Sequence, residues 1–255
     1  MEQYIFQCED NLDGIFTAIY NAWDSGYGHK NIQIQLIDQM YNYQLFSKYI
    51  PVITDYDKAK KVGRTIKNKI SVEAYEAICR AAMTNRQEKA DVIYRFVILG
   101  LHYGPSIITN YSNPSVQSIF EMNRAVGNEV HHYLGFLRFS ELKNAVLYAK
   151  INPKNNVIAL LAPHFMDRLP IENWIIHDEI RQLAVVHQIG EGWVQVDTSE
   201  VDFSALGKIN TKEEDLEQLW KAFVESIAIS ERTNLKLQRQ NLPMRFRGNM
   251  TEFTN

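Results

Sequence analysis

Lys60, Lys61, Arg64 and Lys67 fall in the run DKAKKVGRTIKNK, residues 57–69, where Asp57 is the single acid. On a helix these four cations share a side opposite the apolar pair Val62 and Ile66. Such a row can lie along a phosphate backbone, each neutralised phosphate releasing counterions. A solvated helix face gives the same pattern and stays open as the plain alternative. A second basic stretch is NLKLQRQNLPMRFRGNMTEF, residues 234–253, with Lys236, Arg239, Arg245 and Arg247 interleaved with Phe246 and amide side chains. Guanidinium forks suit phosphate, and amides can reach base edges. The alternative is a tail pinned by Leu235, Leu242 and Met244.

The third group could move protons. Glu129, His131 and His132 sit at an expected helix end, with Arg124 and Asn128 before them. Arg138 follows in GFLRF, His164 and Arg168 in APHFMDR, then His177 and Asp178 in WIIHDE, and Arg181. A histidine near an acid can act as an acid–base group, and the arginines could clamp an anion. If His131 or His132, Arg138, His164, Arg168 and His177 converge, they make a candidate pocket. If the arginines pair with Asp167, Asp178 or Glu179, the site is ion-pair packing. Glu129-x-x-His132 occurs once, without a second ExxH or any HExxH, so no metal site is expected.

Several signatures are absent. The chain has no GxxxxGK[ST], no GxGxxG after a strand, no GxSxG, no CxxxCxxC and no HxE…PCxxC. The standard nucleotide, hydrolase, radical-SAM and deaminase chemistries are therefore not signalled by these residues.

The elements that must position these groups read as α+β. Tyr4 to Cys8 and Asn11 to Trp23 look like a strand and a helix, and Ile32 to Ile37 and Tyr49 to Ile53 are β-prone. Together they form a small α/β layer. Central helices follow: Asp57 to Ile70, one capped by Ser71, Gln87 to Leu101 stopped by Gly104-Pro105, and one opened by Asn113-Pro114. From Phe136 the signal turns β. Ala145 to Ile151 and Val157 to Leu161 flank a Pro153-Lys154-Asn155-Asn156 turn and predict a hairpin, and Pro163 to Leu169 a short helix. Trp174 to His177, Leu183 to Ile189 and Trp193 to Val196 predict an antiparallel meander. A capping box at Thr211 to Glu214 opens a closing helix with Leu216, Leu219, Trp220, Phe223, Val224 and Ile227 at helical spacing, before the basic tail. A domain cut near residue 136 divides the chain into 1–135 and 136–255, unless both belong to one domain.

The 255 residues, 45% of them apolar, suffice for a full core, and a net charge of −3 leaves any nucleic-acid affinity to local patches. Cys8 and Cys79 form neither a CxxC pair nor a disulfide framework. The N-terminus lacks a signal-peptide pattern, and the apolar run VIYRFVILGLHYG carries an arginine and is too short to span a bilayer. A cytoplasmic protein without a membrane segment is expected.

The strings VHHYLGFLRFSEL, LLAPHFMDRLPIENWIIHDE and LQRQNLPMRFRGNMTEF, with the opening YIFQCEDNLDGIFTAIYNAW, resemble a bacterial family of DNA-repair or DNA-metabolism proteins. The resemblance spans nearly the whole chain. It implies a role beside a radical-SAM protein encoded nearby that modifies or repairs DNA. No cofactor is expected in this chain; that partner would carry an iron–sulfur cluster and S-adenosylmethionine. Some relatives carry a uracil-DNA-glycosylase-like domain behind this region. The chain stops at Asn255 just after NMTEF, so glycosylase activity is not expected of it. His132 stands where the family pattern would place an arginine, which weakens a fixed-charge role there.

Three functions follow as expectations. The first is a DNA-binding accessory protein of a radical-SAM-linked repair or modification system. The second is an enzyme acting on a nucleotide or nucleic acid through the histidine–arginine pocket. The third is a scaffold for the partner enzyme.

Overall fold

The computed structural model describes residues 2–37, 44–142, 145–200, 234–250 and 253. The chain is α+β and divides into two compact units, residues 1–127 and 128–255. The capping box at Thr211 to Glu214 and the helix expected through Ile227 lie outside the described residues.

The first unit opens with strand β1 (Gln3–Cys8), helix α1 (Leu12–Asp24) and strands β2 (Ile32–Leu36) and β3 (Ser47–Pro51). The strands form a parallel sheet in the order β2-β1-β3, with Tyr4 opposite both Ile32 and Lys48. Alternation sets the faces: Ile32, Ile34 and Leu36 are buried while Gln33 and Gln35 are half-buried. Helices α2 (Tyr56–Lys69), α3 (Val72–Ala82) and α4 (Lys89–Tyr103) follow, then a 3-10 turn (Gly104–Thr109) and the start of α5 (Pro114–Phe136).

Side-chain caps set the starts. Asn11 accepts from the Gly14 amide (2.6 Å), Asp55 from Asp57 and Lys58 (2.9 and 3.1 Å), and Ser71 from Ala74 (3.0 Å). One core then joins Phe16 and Ile19 of α1, Val62 and Ile66 of α2, Ile78 of α3, and Ile93, Tyr94, Phe96 and Val97 of α4.

Residues 89–109 are a 21-residue helical run whose most apolar 18-residue window has mean hydropathy 1.3, long and apolar enough to cross a membrane by length and composition. The run is longer than the sequence suggested, because the 3-10 turn continues past Gly104. Its buried residues serve the core just described, which is what an apolar core helix does.

The second unit holds a five-stranded sheet in the order β4-β5-β6-β7-β8. Its strands are β4 (Ser140–Glu141), β5 (Leu147–Ile151), β6 (Trp174–Asp178), β7 (Leu183–His187) and β8 (Trp193–Asp197). The meander β6-β7-β8 is antiparallel, as expected, and β4 also runs antiparallel to β5.

The hairpin expected after residue 151 is not formed. Residues 158–168 are helix α6 (Ile158–Arg168), so β5 and β6 pair in parallel across a helical connection. Ile158, Leu161, Ala162 and Phe165 are its buried side, at i, i+3, i+4 and i+7. A short apolar run reads equally as strand or helix, and here the longer period wins. The described chain ends in two short helices, α7 (Leu235–Asn241) and α8 (Met244–Arg247).

Candidate nucleic-acid interface

Helix α2 is amphipathic because Ala59, Val62, Gly63 and Ile66 turn to the core. Lys60, Lys61, Arg64 and Lys67 are consequently all exposed. At about 1.5 Å per residue the 14-residue helix is roughly 21 Å long, enough to follow several phosphates. Among the described residues none of the four has an ion-pair partner. Aromatic rings hold some ammonium groups instead: Lys67 lies 4.0 Å from the Tyr75 ring centroid, and Lys58 and Lys61 lie 5.3 and 5.7 Å from that of Tyr20. Lys58 also donates to Asn21 (2.8 Å).

Beside this face α1, α2 and α4 enclose a groove of about 530 Å³. Ile19, Val62, Ile66, Val97 and Leu101 line it with apolar surface, and Tyr20, Trp23, Asp24, Lys61, Thr65 and Lys69 complete it. Sequence reasoning missed this groove. The available signal was Tyr20 and Trp23 at i and i+3 on an amphipathic helix, with Trp23 left 46% exposed.

The basic tail divides into two kinds of residue. Lys236 and Arg239 are exposed on α7. Arg245 places its guanidinium 3.0 Å from Glu129, and Arg247 donates to the Leu242 carbonyl (3.3 Å) and lies over Phe253. Of the three expected apolar pins Leu242 is half-buried. Leu235 and Met244 are about 60% exposed, whereas Phe246 and Met250 are each 3% exposed. Phe246 meets the rings of His132, Tyr133 and Phe136 at 5.1, 4.9 and 5.5 Å.

The histidine–arginine set takes several separate environments. His131 is exposed and His132 half-buried. Both line a cavity of about 510 Å³ with Leu134, Gly135, Phe136, Gln240 and Asn241. Burial, then the charges of Arg245 and His131, lower the His132 pKa, and its Nδ1 has no hydrogen-bond partner among the described residues. That cavity is not lined by Arg138, His164, Arg168 or His177. Arg138 donates to the carbonyls of Gly135 and Leu137 (3.0 and 3.3 Å). His164 meets Phe165 edge-on at 5.1 Å, and Arg168 is exposed at the end of α6.

His177 is buried in the sheet. Its Nδ1 lies 2.9 Å from the Tyr148 hydroxyl and its Nε2 3.4 Å from that of Thr198. Burial is the main reason its pKa is lowered. Asp178, fully buried, accepts from the amides of Ile180 and Arg181 (3.0 and 3.2 Å) and pairs with the Arg181 guanidinium (3.1 Å). Arg181 also donates to the Pro153 and Lys154 carbonyls. This corner of the unit is ion-pair packing. Among the described residues no three His, Cys, Asp or Glu side chains gather to hold a metal ion.

No curated protein matches the chain. Among solved structures, a DHH domain from a member of a family of ribosomal proteins aligns over 74% of each chain at 8% identity. Its TM-score of 0.35 is too low to assign a common fold. Residues 87–252 match the family described as a domain of unknown function, DUF4130, a match that covers well over half the chain. The chain belongs to the DUF4130 family.

Proposed function

We propose that the chain is a DNA-binding accessory protein that holds the phosphate backbone on the outer face of α2. The supporting observation is the row Lys60, Lys61, Arg64 and Lys67: exposed, on one helix, and without an acid partner among the described residues. An ordinary solvated helix tends to interleave its cations with acids at i+3 or i+4. Here Asp57 is the helix's one acid, spaced to serve Lys60 or Lys61, and no acid lies three or four residues from Arg64 or Lys67. With a net charge of −3 the protein has little long-range attraction for DNA, so binding is modest and steeply salt-dependent. Lys236 and Arg239 are the tail cations left for phosphate, since Arg245 and Arg247 are engaged within their own unit.

The partner in this proposal is a radical-SAM enzyme acting on DNA, a part that rests on the sequence resemblance alone. Changing Lys60, Lys61 and Arg64 together to Glu weakens binding on every DNA sequence tested. Unchanged affinity at low salt removes α2 from the interface.

One observation favours a second reading, a nucleotide-binding enzyme centred on His132. Its unpartnered Nδ1 and the amides of Gln240 and Asn241 belong to one cavity. Turnover of a nucleotide that is lost in His132→Ala supports this reading over the first.

A further inference from the structure

We infer that the groove between α1, α2 and α4 is a nucleobase site. It takes one unpaired base of single-stranded DNA against Trp23 and Tyr20, with a flanking phosphate on Lys69 or Lys61. This deepens the DNA-binding reading and rests on it. The volume, about 530 Å³, lies in the range of sites that take small organic groups.

The groove combines features that few other occupants use together. Its floor is apolar, its rim carries Lys61 and Lys69 against the single acid Asp24, and it presents two aromatic rings. An apolar peptide would satisfy the floor and leave the ammonium groups unused. A nucleotide offers a flat aromatic ring and an anion on one short frame, so it uses both.

Trp23 is also pre-positioned. It is 46% exposed, yet the His29 ring lies 4.5 Å from it. The Nδ1 of His29 is 2.8 Å from the hydroxyl of fully buried Tyr94, and the His29 carbonyl accepts from Arg95. An indole held this way loses little freedom when a base stacks on it.

The position beside the basic face of α2 supplies the connection. Lys61 belongs to both the groove lining and the phosphate row. A strand whose backbone follows α2 therefore passes the groove, and a base can enter only if it is not stacked inside a duplex. Aromatic stacking is tolerant of base identity, so the site selects strandedness rather than sequence.

The test measures fluorescence anisotropy of a labelled single-stranded oligonucleotide, its duplex, and the same strand with abasic positions, using the full chain. Trp23→Ala should weaken single-strand binding roughly tenfold, with a much smaller effect on the duplex, and Trp23→Phe should restore most of the loss. The abasic strand should bind the unaltered protein about as weakly as the intact strand binds Trp23→Ala. Circular dichroism and thermal unfolding verify that each variant is folded. If Trp23→Ala leaves single-strand affinity unchanged while reversing Lys60 and Arg64 still weakens it, the base site is overturned and the backbone reading stands. If poly-glutamate displaces the strand as well as an unlabelled oligonucleotide of equal charge does, the groove is an acidic-peptide site and the proposal fails. If the unaltered protein binds no form of DNA at low salt, both readings fall.

Discussion

Arg245 reaches across the second unit to place its Nη1 3.0 Å from Glu129, whose side chain is 1% exposed. The same carboxylate accepts from the Lys154 amide (2.9 Å), the Asn155 amide (2.8 Å) and the Asn155 side chain (2.7 Å). One buried acid on α5 thus fastens both the loop after β5 and the C-terminal segment. Removing Glu129 strands three donors and unpairs an arginine, whereas removing Arg245 leaves the acid three bonds. Glu129→Ala is expected to cost roughly 3–5 kcal/mol, from three donors left unpaired at about 1–3 kcal/mol each, and Arg245→Ala about 1–3 kcal/mol, both read by chemical denaturation. The reverse order would move the fastening role away from Glu129.

Phe246 is the apolar counterpart of that pair, 3% exposed among the rings of α5. Phe246→Ala should cost about 3–5 kcal/mol, the usual range for an emptied aromatic site. It should also open residues 234–250 to limited proteolysis at temperatures where the rest of the chain resists. Uniform proteolysis across the chain would show that the segment is not held by this side chain.

Stability should fall on acidification. Burial lowers the His177 pKa below its ordinary 6.5, so the folded chain takes up this proton less readily than the unfolded chain. His29 and His132 shift in the same direction, again mainly through burial. A base depressed in the folded state contributes fully above its unfolded pKa and loses that contribution as pH falls below about 6.5. Thermal unfolding between pH 7.5 and 5 should show the decline, and His177→Gln should flatten part of it. A midpoint that rises on acidification over this window would contradict the assignment.

Gly100 of α4 packs against the side chain of Ile70. A Cβ added at Gly100 would lie 2.5 Å from the Ile70 Cδ1, and Ile70 is itself 3% exposed, so it has little room to yield. Gly100→Ala should therefore destabilise by about 1–3 kcal/mol despite its better helix propensity. In Ile70→Val that clashing atom is gone, so the double variant should lose less than the two single losses combined. Simple additivity would mean that Gly100 does not sense Ile70.

Where local chemistry decides, the sequence was readable. Ser71 and Asn113 cap helices where their side chains suggested, and the cationic face of α2 follows from its apolar spacing. The run 157–161 misled because five apolar residues carry no period of their own. The groove could not be read, because residues 19–24, 61–69 and 97–101 meet only through the packing of three helices. Glu129 was visible as half of an ExxH spacing. Its function as a fastening point depends on an arginine in the tail and on a loop 25 residues ahead. The histidines were legible as individuals and not as a group, since His132 belongs to a helix-side cavity and His177 to the middle of a sheet.

The salt dependence of DNA binding tests the central proposal most directly. Lys60, Lys61, Arg64 and Lys67 are exposed, so replacing all four with Ala should leave the fold intact, as circular dichroism can verify. For duplex DNA the slope of log K against log salt should become shallower by about 0.9 for each phosphate no longer neutralised, roughly 3–4 in all if each cation holds one. Affinity should drop on every sequence alike. A variant that binds as tightly as the unaltered protein, with the same slope, would contradict the claim that α2 holds the backbone.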